Sequence, residues 1–193
     1  MSQPTAVTCA ASGLVLELLD LDTGRGWETR VEAMTLASRR LGGLRLNFLR
    51  DLSLTGVSVR DQGQERSPAG DEESNSPLAG LVTGVERLAA LAPGGGVELV
   101  RLQVAVGDSW QLAAGRAQWQ SHPRGIRLAG AVHLTAGGSR LDTGEAFIAL
   151  PAQVLVLRHG FALTRQGQLE TGERAIFSPH LERLRKLEQG RDT

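Results

Sequence analysis

Several residue types are scarce in this sequence, and each scarcity narrows what the chain can be. Cys9 is the only cysteine, so no internal disulfide can form. Tyrosine is absent and aromatic residues make up 4% of the chain, which argues against the stacking platforms that bind single-stranded nucleic acid. Basic and acidic residues number 21 each, so no strongly basic face is indicated. We therefore expect no nucleic-acid partner.

Long apolar runs are also missing. No stretch of about 18 apolar residues offers a membrane-spanning helix, and residues 1–13 lack the basic start and apolar core of a signal peptide. With 193 residues, the chain can bury a substantial core as one domain. These features leave two locations open: the cytoplasm, or a compartment reached through an export signal or anchor outside this sequence.

A pattern repeats in the second half of the chain. The first copy contains Leu112, Gly115, Ala117, Leu134 and Thr135, which return 29 residues later as Leu141, Gly144, Ala146, Leu163 and Thr164. A shorter third copy follows over residues 169–177. A fixed period of this kind predicts structural units that bury their apolar faces against one another.

The repeated unit has the pattern of β-strands. Apolar Val132 and Leu134 flank polar His133, and this alternation places the apolar side chains on one face of a strand. Residues 13–60 form a looser copy, with a hairpin turn over residues 22–26. The stretch from Trp27 could also form a helix, but we favour a strand because a hairpin signal precedes it. We predict an all-β domain over residues 13–177, as a sandwich or an open, folded sheet.

An insertion over residues 61–93 interrupts this domain. Residues 61–77 contain no large apolar side chain and are predicted to be a disordered loop. Apolar residues then follow helical spacing over residues 78–92, which predicts a short helix. We favour a helix that caps an open end of the sheet over one that binds a partner. A second helix is predicted over residues 178–190, with Ser178 as its N-cap and Pro179 at its first position; packing on the last strand and docking on another chain are both open.

Catalytic patterns are not found. The four histidines fall in different repeats without a zinc-binding motif, and the sequence contains neither a G-x-S-x-G elbow nor a phosphate-binding loop. Asp142 and Glu145 could form a carboxylate pair, but a solvated strand edge explains them more simply. We expect no enzyme activity, no catalytic residue, no metal site and no cofactor.

Three consecutive motifs resemble the OstA-like repeats of the periplasmic lipopolysaccharide-export proteins LptA and LptC. They are L-x-A-x-x-A-x-W over residues 112–119, G-I-x-L-x-G-x-V-x-L-T over residues 125–135, and R-L-x-T-x-x-A over residues 140–146. The opening is similar to LptC in particular, with Trp27 to Ala33 after a hairpin turn and then Leu52 to Val57. The resemblance covers residues 13–60 and 97–177.

This resemblance implies a β-jellyroll shaped like a folded taco, which carries lipopolysaccharide or a related envelope lipid across the periplasm. It further implies two kinds of protein partner: homologous jellyrolls joined by edge-strand addition, and an inner-membrane transporter complex. The implied location is the periplasm, with attachment to the inner membrane through a segment outside this sequence. Acyl chains would lie on inward-facing residues that could equally be ordinary core: Val31, Leu46, Val57, Leu112, Leu128, Val132, Leu134, Leu141, Ile148 and Leu163.

Two other hypotheses remain. One is a scaffold with a closed, solid core that binds a protein partner through its edge strands or helices. The other, which is weaker, is a hydrolase with its site in the insertion. Side-chain volume on the inner face separates a carrier from a scaffold, and small residues there favour a carrier: Ala113, Ala114, Ala117, Ala131 and Ala146.

Overall fold

A computed structural model describes residues 7–19, 26–41, 44–61, 76–92 and 95–185. In this part the chain is mostly β-strand, as predicted. One helix, α1 (Ala79–Leu91), interrupts the strands β1 (Val7–Leu19), β2 (Gly26–Leu41), β3 (Leu44–Asp61), β4 (Val97–Val106), β5 (Trp110–Ser121), β6 (Arg124–Ala136), β7 (Ser139–Ala149), β8 (Val154–Leu157), β9 (Phe161–Arg165), β10 (Gln168–Gly172), β11 (Ala175–Phe177) and β12 (Arg183–Arg185).

All twelve strands belong to one mixed sheet. Strands β1 to β7 lie side by side in chain order, and the neighbours are antiparallel except for β3 and β4, which are parallel. A parallel pair needs a crossover connection, and α1 lies in the connection between these two strands. The insertion is therefore the crossover that lets β3 and β4 run in the same direction.

The sheet divides after β7. Residues 140–143 of β7 pair with β9, which continues to β10; we call these two strands the β9 branch. Residues 147–149 of β7 pair with β8, which continues through β11 to β12; we call these three strands the β8 branch. One long strand thus supports two separate extensions of the same sheet.

The alternation of burial follows the predicted strand pattern. In β2, Trp27, Thr29 and Val31 are buried while Arg30 and Glu32 are exposed, which agrees with a strand rather than a helix. Residues 44–61 form the single long strand β3. This strand pairs with β2 from one end to the other, with one register shift between Ser38 and Arg39 of β2.

The sequence repeat corresponds to rows of residues across neighbouring strands. Leu112 lies opposite Leu134, which lies opposite Leu141, which lies opposite Leu163. A second row joins Leu54, Leu99, Ala117, Leu128 and Ala146. Because equivalent residues of successive repeats reach the same row, the period of the sequence builds a continuous apolar surface.

An irregular line crosses the sheet between these two rows. Gly13, Gly56, Arg101 and Gly130 have positive φ angles on β1, β3, β4 and β6, and the β5–β6 and β6–β7 registers shift beside Gly115 and Gly130. We call these five residues the bulge line. Bulges bend a strand and increase its twist, so the strands bend where this line crosses them.

Helix α1 is held by burial rather than by capping. Its N-cap, Leu78, makes no side-chain capping bond, and its first turn contains no acidic residue. Four apolar residues of the helix and its N-cap are 0 to 8% exposed and belong to the main core: Leu78, Leu81, Val82, Val85 and Leu88. The helix predicted over residues 78–92 is therefore present, while the loop predicted before it falls largely on residues 62–75, outside the described part.

The second predicted helix is not found over residues 178–185, which form a turn followed by β12. The backbone N–H of Leu181 donates to Ser178 O, and the N–H of Glu182 donates to Ser178 Oγ, so the serine closes a turn instead of starting a helix. Leu181 has a φ angle of 65° and is fully buried. Burial of this leucine and strand pairing with β11 outweigh the helical spacing of the leucines. Residues 186–190 of the prediction lie outside the described part.

Candidate functional site

The predicted lipid-lining residues occupy the buried side of the sheet, which we call the inner face. It carries the two rows described above and a third row of Ile126, Ile148, Leu155 and Phe177. These rows run from β3 into the β9 and β8 branches. One cluster of buried apolar residues includes them all.

Nine of the ten predicted lining residues are almost completely buried. Leu128, Leu134, Leu141 and Ile148 are 0% exposed, and none of the other five exceeds 2%: Val31, Val57, Leu112, Val132 and Leu163. Leu46 lies on β3, but its side chain is outside the described part. The structure thus brings these residues into one apolar cluster, packed against other side chains.

The five alanines that were expected to leave room on the inner face are not equivalent. Ala114, Ala117 and Ala146 are buried, Ala113 is half-buried, and Ala131 is exposed at a positive φ angle. Ala117 and Ala146 both lie opposite Leu128. Small side chains therefore flank a leucine in the middle of the inner face. The prediction is wrong for Ala113, which lies opposite exposed His133 on the other side of the sheet, and for Ala131, which a bulge turns outward.

The two branches contact each other although each pairs with a different part of β7. The ring of Phe161 in the β9 branch meets the ring of Phe177 in the β8 branch edge to face, with centroids 5.4 Å apart. Arg165 of β9 donates a hydrogen bond to Leu181 O, and Arg183 of β12 pairs with Glu170 of β10. These contacts close the inner face at the end of the sheet that the branches form.

Trp110 makes a further hydrogen bond at the same end of the sheet. Its indole Nε1–H donates to the carbonyl oxygen of Pro179 at 2.8 Å, while the ring is buried at the start of β5. A buried tryptophan usually finds a partner for its N–H group. This bond fixes the turn that follows β11 over the inner face.

Helix α1 covers the inner face elsewhere. A Cβ atom added to Gly80 would lie 2.0 Å from the nearest ring atom of Trp27 on β2, so the helix backbone rests directly on the indole ring. The backbone N–H of Gly96, after the helix, donates to Asp51 on β3 at 2.8 Å. Between the C-terminal end of α1 and the β5–β6 turn lies a cavity of about 490 Å³, whose lining includes Ala89, Trp119 and His122. We call it the helix-end cavity.

The opposite side of the sheet, the outer face, carries ion pairs between strands. Arg116 pairs with Glu98 at 2.8 Å and Arg127 with Glu145 at 2.9 Å. Asp142 accepts hydrogen bonds from Arg140 and pairs with His133. Each pair joins exposed or half-exposed side chains, which contribute little to stability individually.

The two carboxylates that might have formed a catalytic pair are committed to these contacts. Hydrogen bonds from Arg140 lower the pKa of Asp142, with a smaller contribution from His133. Hydrogen bonding from Arg127 likewise lowers the pKa of Glu145. Both groups are therefore ionised at neutral pH, and neither is prepared to act as a general acid, which requires a raised pKa.

Among the described residues, no group of three or more histidine, cysteine, aspartate or glutamate side chains is placed to hold a metal ion. The described part also contains no helix with the length and apolar character needed to cross a membrane.

Sequence reasoning missed the features that close the inner face. The close approach of Gly80 to Trp27 and the bond from Trp110 to Pro179 join residues far apart in the chain, and no local pattern marks them. A glycine inside a helical pattern was the one available signal, since it often marks close packing.

In comparisons with known proteins, no family model matches the chain, and no curated protein matches it significantly.

Proposed function

We propose that this protein is a non-enzymatic lipid carrier that holds acyl chains on the inner face of its sheet. The observation that carries the proposal is the continuous apolar surface, built of rows of aliphatic residues across at least five neighbouring strands. Burying methylene groups contributes about 0.8 kcal/mol each, so such a surface can bind acyl chains without special residues. The expected ligand is lipopolysaccharide or a related envelope lipid, carried in the periplasm.

The proposed shape is a sheet folded along the bulge line into two facing halves, as in a β-taco jellyroll. Two facts support it. The bulge line separates the Leu112 to Leu163 row from the Leu128 row, and the Phe161–Phe177 contact brings together branches that extend from the two sides of that line. A folded sheet of this kind buries its apolar face between its own halves.

The same contacts suggest where a lipid enters. At the end of the sheet formed by the two branches, contacts of Trp110, Phe161 and Arg183 hold the inner face closed. The part of the inner face away from the branches is covered by α1 and lies beside the helix-end cavity. Ligand pockets commonly measure about 300–1,000 Å³, so the cavity is large enough to admit the end of an acyl chain. Since the inner face is packed, bound acyl chains must displace α1 or part the two halves. The helix thus occupies the groove in the lipid-free protein.

Native mass spectrometry tests this proposal. The protein is mixed with lipid A and, separately, with the deacylated disaccharide of lipid A. We expect adducts with lipid A only, because the acyl chains make the contacts. Ala89→Trp, which fills the helix-end cavity, should reduce these adducts, and Thr83→Trp, at an exposed position of the same helix, should not. Absence of lipid A adducts, or equal binding of the sugar, would reject the carrier.

A second candidate function is partner binding through the edge strands. The sheet ends at β1, β10 and β12, and each of these strands carries an exposed large apolar residue: Val15, Leu169 and Leu184, which are 55 to 68% exposed. Exposed apolar edge strands are sites where another chain can add a strand. A homologous sheet is the expected partner. The two functions are compatible, because strand addition leaves the inner face free.

A further inference from the structure

The outer face carries a pocket of about 200 Å³ that lies apart from the proposed lipid groove. Phe147 on β7 and Val156 on β8 are direct neighbours across these strands and form its apolar base. Its polar wall consists of Gln120, Arg127 and Glu145 from the strands, together with Arg158 and His159 from the loop after β8. We call this the outer pocket.

A glycine shapes the outer pocket. A Cβ atom added to Gly125 on β6 would lie 2.4 Å from Cζ of Phe147 and 2.3 Å from Ile148 O. Phe147 can therefore lie across the backbone of β6 only because Gly125 has no side chain. The ring is half-buried, so one part of it packs on the sheet and the rest faces the pocket.

The charges of the outer pocket favour an anion. Arg127 makes two hydrogen bonds to Glu145, at 3.0 Å and 2.9 Å, which hold its guanidinium in place and offset its charge. Glu145 stays ionised at neutral pH, because hydrogen bonding from Arg127 lowers its pKa. Arg158 forms no ion pair within the described part of the chain, although it interacts electrostatically with Glu145 at longer range. Arg127, Glu145 and Arg158 together give the pocket a net charge of about +1.

The loop that presents Arg158 and His159 is anchored at its next residue, Gly160. The hydroxyl of Thr143 on β7 donates to Gly160 O at 2.7 Å, and Gly160 N donates to Glu173 O at 3.1 Å. The Thr143 side chain is itself buried. Binding groups held in this way lose less conformational entropy when a ligand binds.

We propose that the outer pocket binds a small organic acid that consists of one carboxylate and an apolar body. The carboxylate accepts hydrogen bonds from Arg158 and from the N–H groups of Arg127 that do not face Glu145, since a guanidinium fork matches a carboxylate. The apolar body rests on Phe147 and Val156. A lipid phosphodiester headgroup also carries a single negative charge, and the experiment distinguishes that source.

Backbone NMR shifts with benzoate as the probe test the proposal. We expect saturable shifts at Gly125, Phe147 and Arg158, with a Kd on the order of 1 mM. Benzyl alcohol, which lacks the charge, should give much smaller shifts. Arg158→Gln should weaken benzoate binding about tenfold or more, the loss expected for one hydrogen bond to a charged group. Arg101→Gln on β4 removes the same charge two strands away from Arg127 and should leave binding unchanged.

Three results would overturn the assignment. They are the absence of saturable shifts with benzoate, equal shifts with benzyl alcohol, and equal weakening by Arg158→Gln and Arg101→Gln. Vesicles of phosphatidylglycerol form the second arm of the test. Binding of these vesicles through Arg158 without binding of benzoate would replace the small acid with a lipid headgroup. The outcome does not depend on the carrier proposal, because the pocket and the inner face lie on opposite sides of the sheet.

Discussion

The two faces of the sheet are held together by different interactions. On the inner face, aliphatic side chains lie in rows and are almost completely buried, and each fully buried side chain contributes about 1.5–3 kcal/mol. On the outer face, strands are joined by exposed or half-exposed ion pairs such as Arg127 with Glu145, which contribute little individually because water screens them. The stability of the fold therefore depends on the face that the carrier proposal also uses for binding, and the outer face can change at little cost.

The largest expected change in stability is at Leu134 on the inner face, and Thr135 on the outer face is its control. Leu134 is fully buried in a row of four leucines, and Thr135 beside it is exposed. Leu134→Ala should lower the free energy of unfolding by about 3 kcal/mol or more through lost burial and a cavity. Thr135→Ala should change it by less than about 0.5 kcal/mol. Urea denaturation of both variants measures the difference, and similar losses would show that the inner face is not a packed core.

An intermediate effect is expected at the bulge line. A Cβ atom added to Gly115 would lie 2.5 Å from Gly130 O, whereas one added to Gly144 meets nothing within 4 Å. Gly115→Ala should therefore destabilise the protein by about 1–3 kcal/mol, because the backbone of β6 must move. Thermal unfolding gives the measurement. Gly144→Ala is the control and should be neutral or slightly stabilising; equal effects at the two glycines would contradict the close approach of β5 and β6.

The smallest expected change in stability is on the outer face, and it depends on pH. The pKa of Asp142 is lowered in the folded protein, so its ionised form stabilises the fold above the unfolded pKa of about 3.9. That contribution is lost as the pH falls through the folded pKa. Asp142→Asn should cost about 0.5 kcal/mol at neutral pH, and the difference from wild type should vanish in acid.

Denaturation at neutral and at acidic pH provides this comparison. Asp108→Asn is the matched control, because Asp108 lies in the exposed turn between β4 and β5 and no described residue forms an ion pair with it. A cost for Asp142→Asn that is the same at both pH values would show that the ion pairs with Arg140 and His133 do not stabilise the sheet.

The strands and the inner-face residues were accessible from the sequence because their signals are local or periodic. Alternation identified the buried side of β2 and of β5 to β7, and the repeat placed Leu112, Leu134, Leu141 and Leu163 in equivalent positions before their pairing was known. Helical spacing likewise identified α1. These features depend on periods that a single strand or helix imposes on its own residues.

What the sequence did not reveal depends on pairing between distant segments. The bulge line needs the register of at least five strands, and the outer pocket joins Gly125, Phe147 and Arg158 from three parts of the chain. The helix predicted over residues 178–190 is the opposite case, in which a local pattern was present but did not determine the structure. Its leucine spacing is helical, but burial of Leu181 and pairing of β12 with β11 determine the structure of residues 178–185.

The most direct test of the carrier is to ask which side chains contact bound acyl chains. Protein in which photo-leucine replaces leucine is irradiated with lipid A, and the cross-linked peptides are mapped by mass spectrometry. The account predicts cross-links at inner-face leucines such as Leu128 and Leu134, and none at Leu169 and Leu184, which are exposed on edge strands. Cross-links confined to Leu169 and Leu184, with the inner face unlabelled, would contradict an acyl-chain groove between the halves of the sheet.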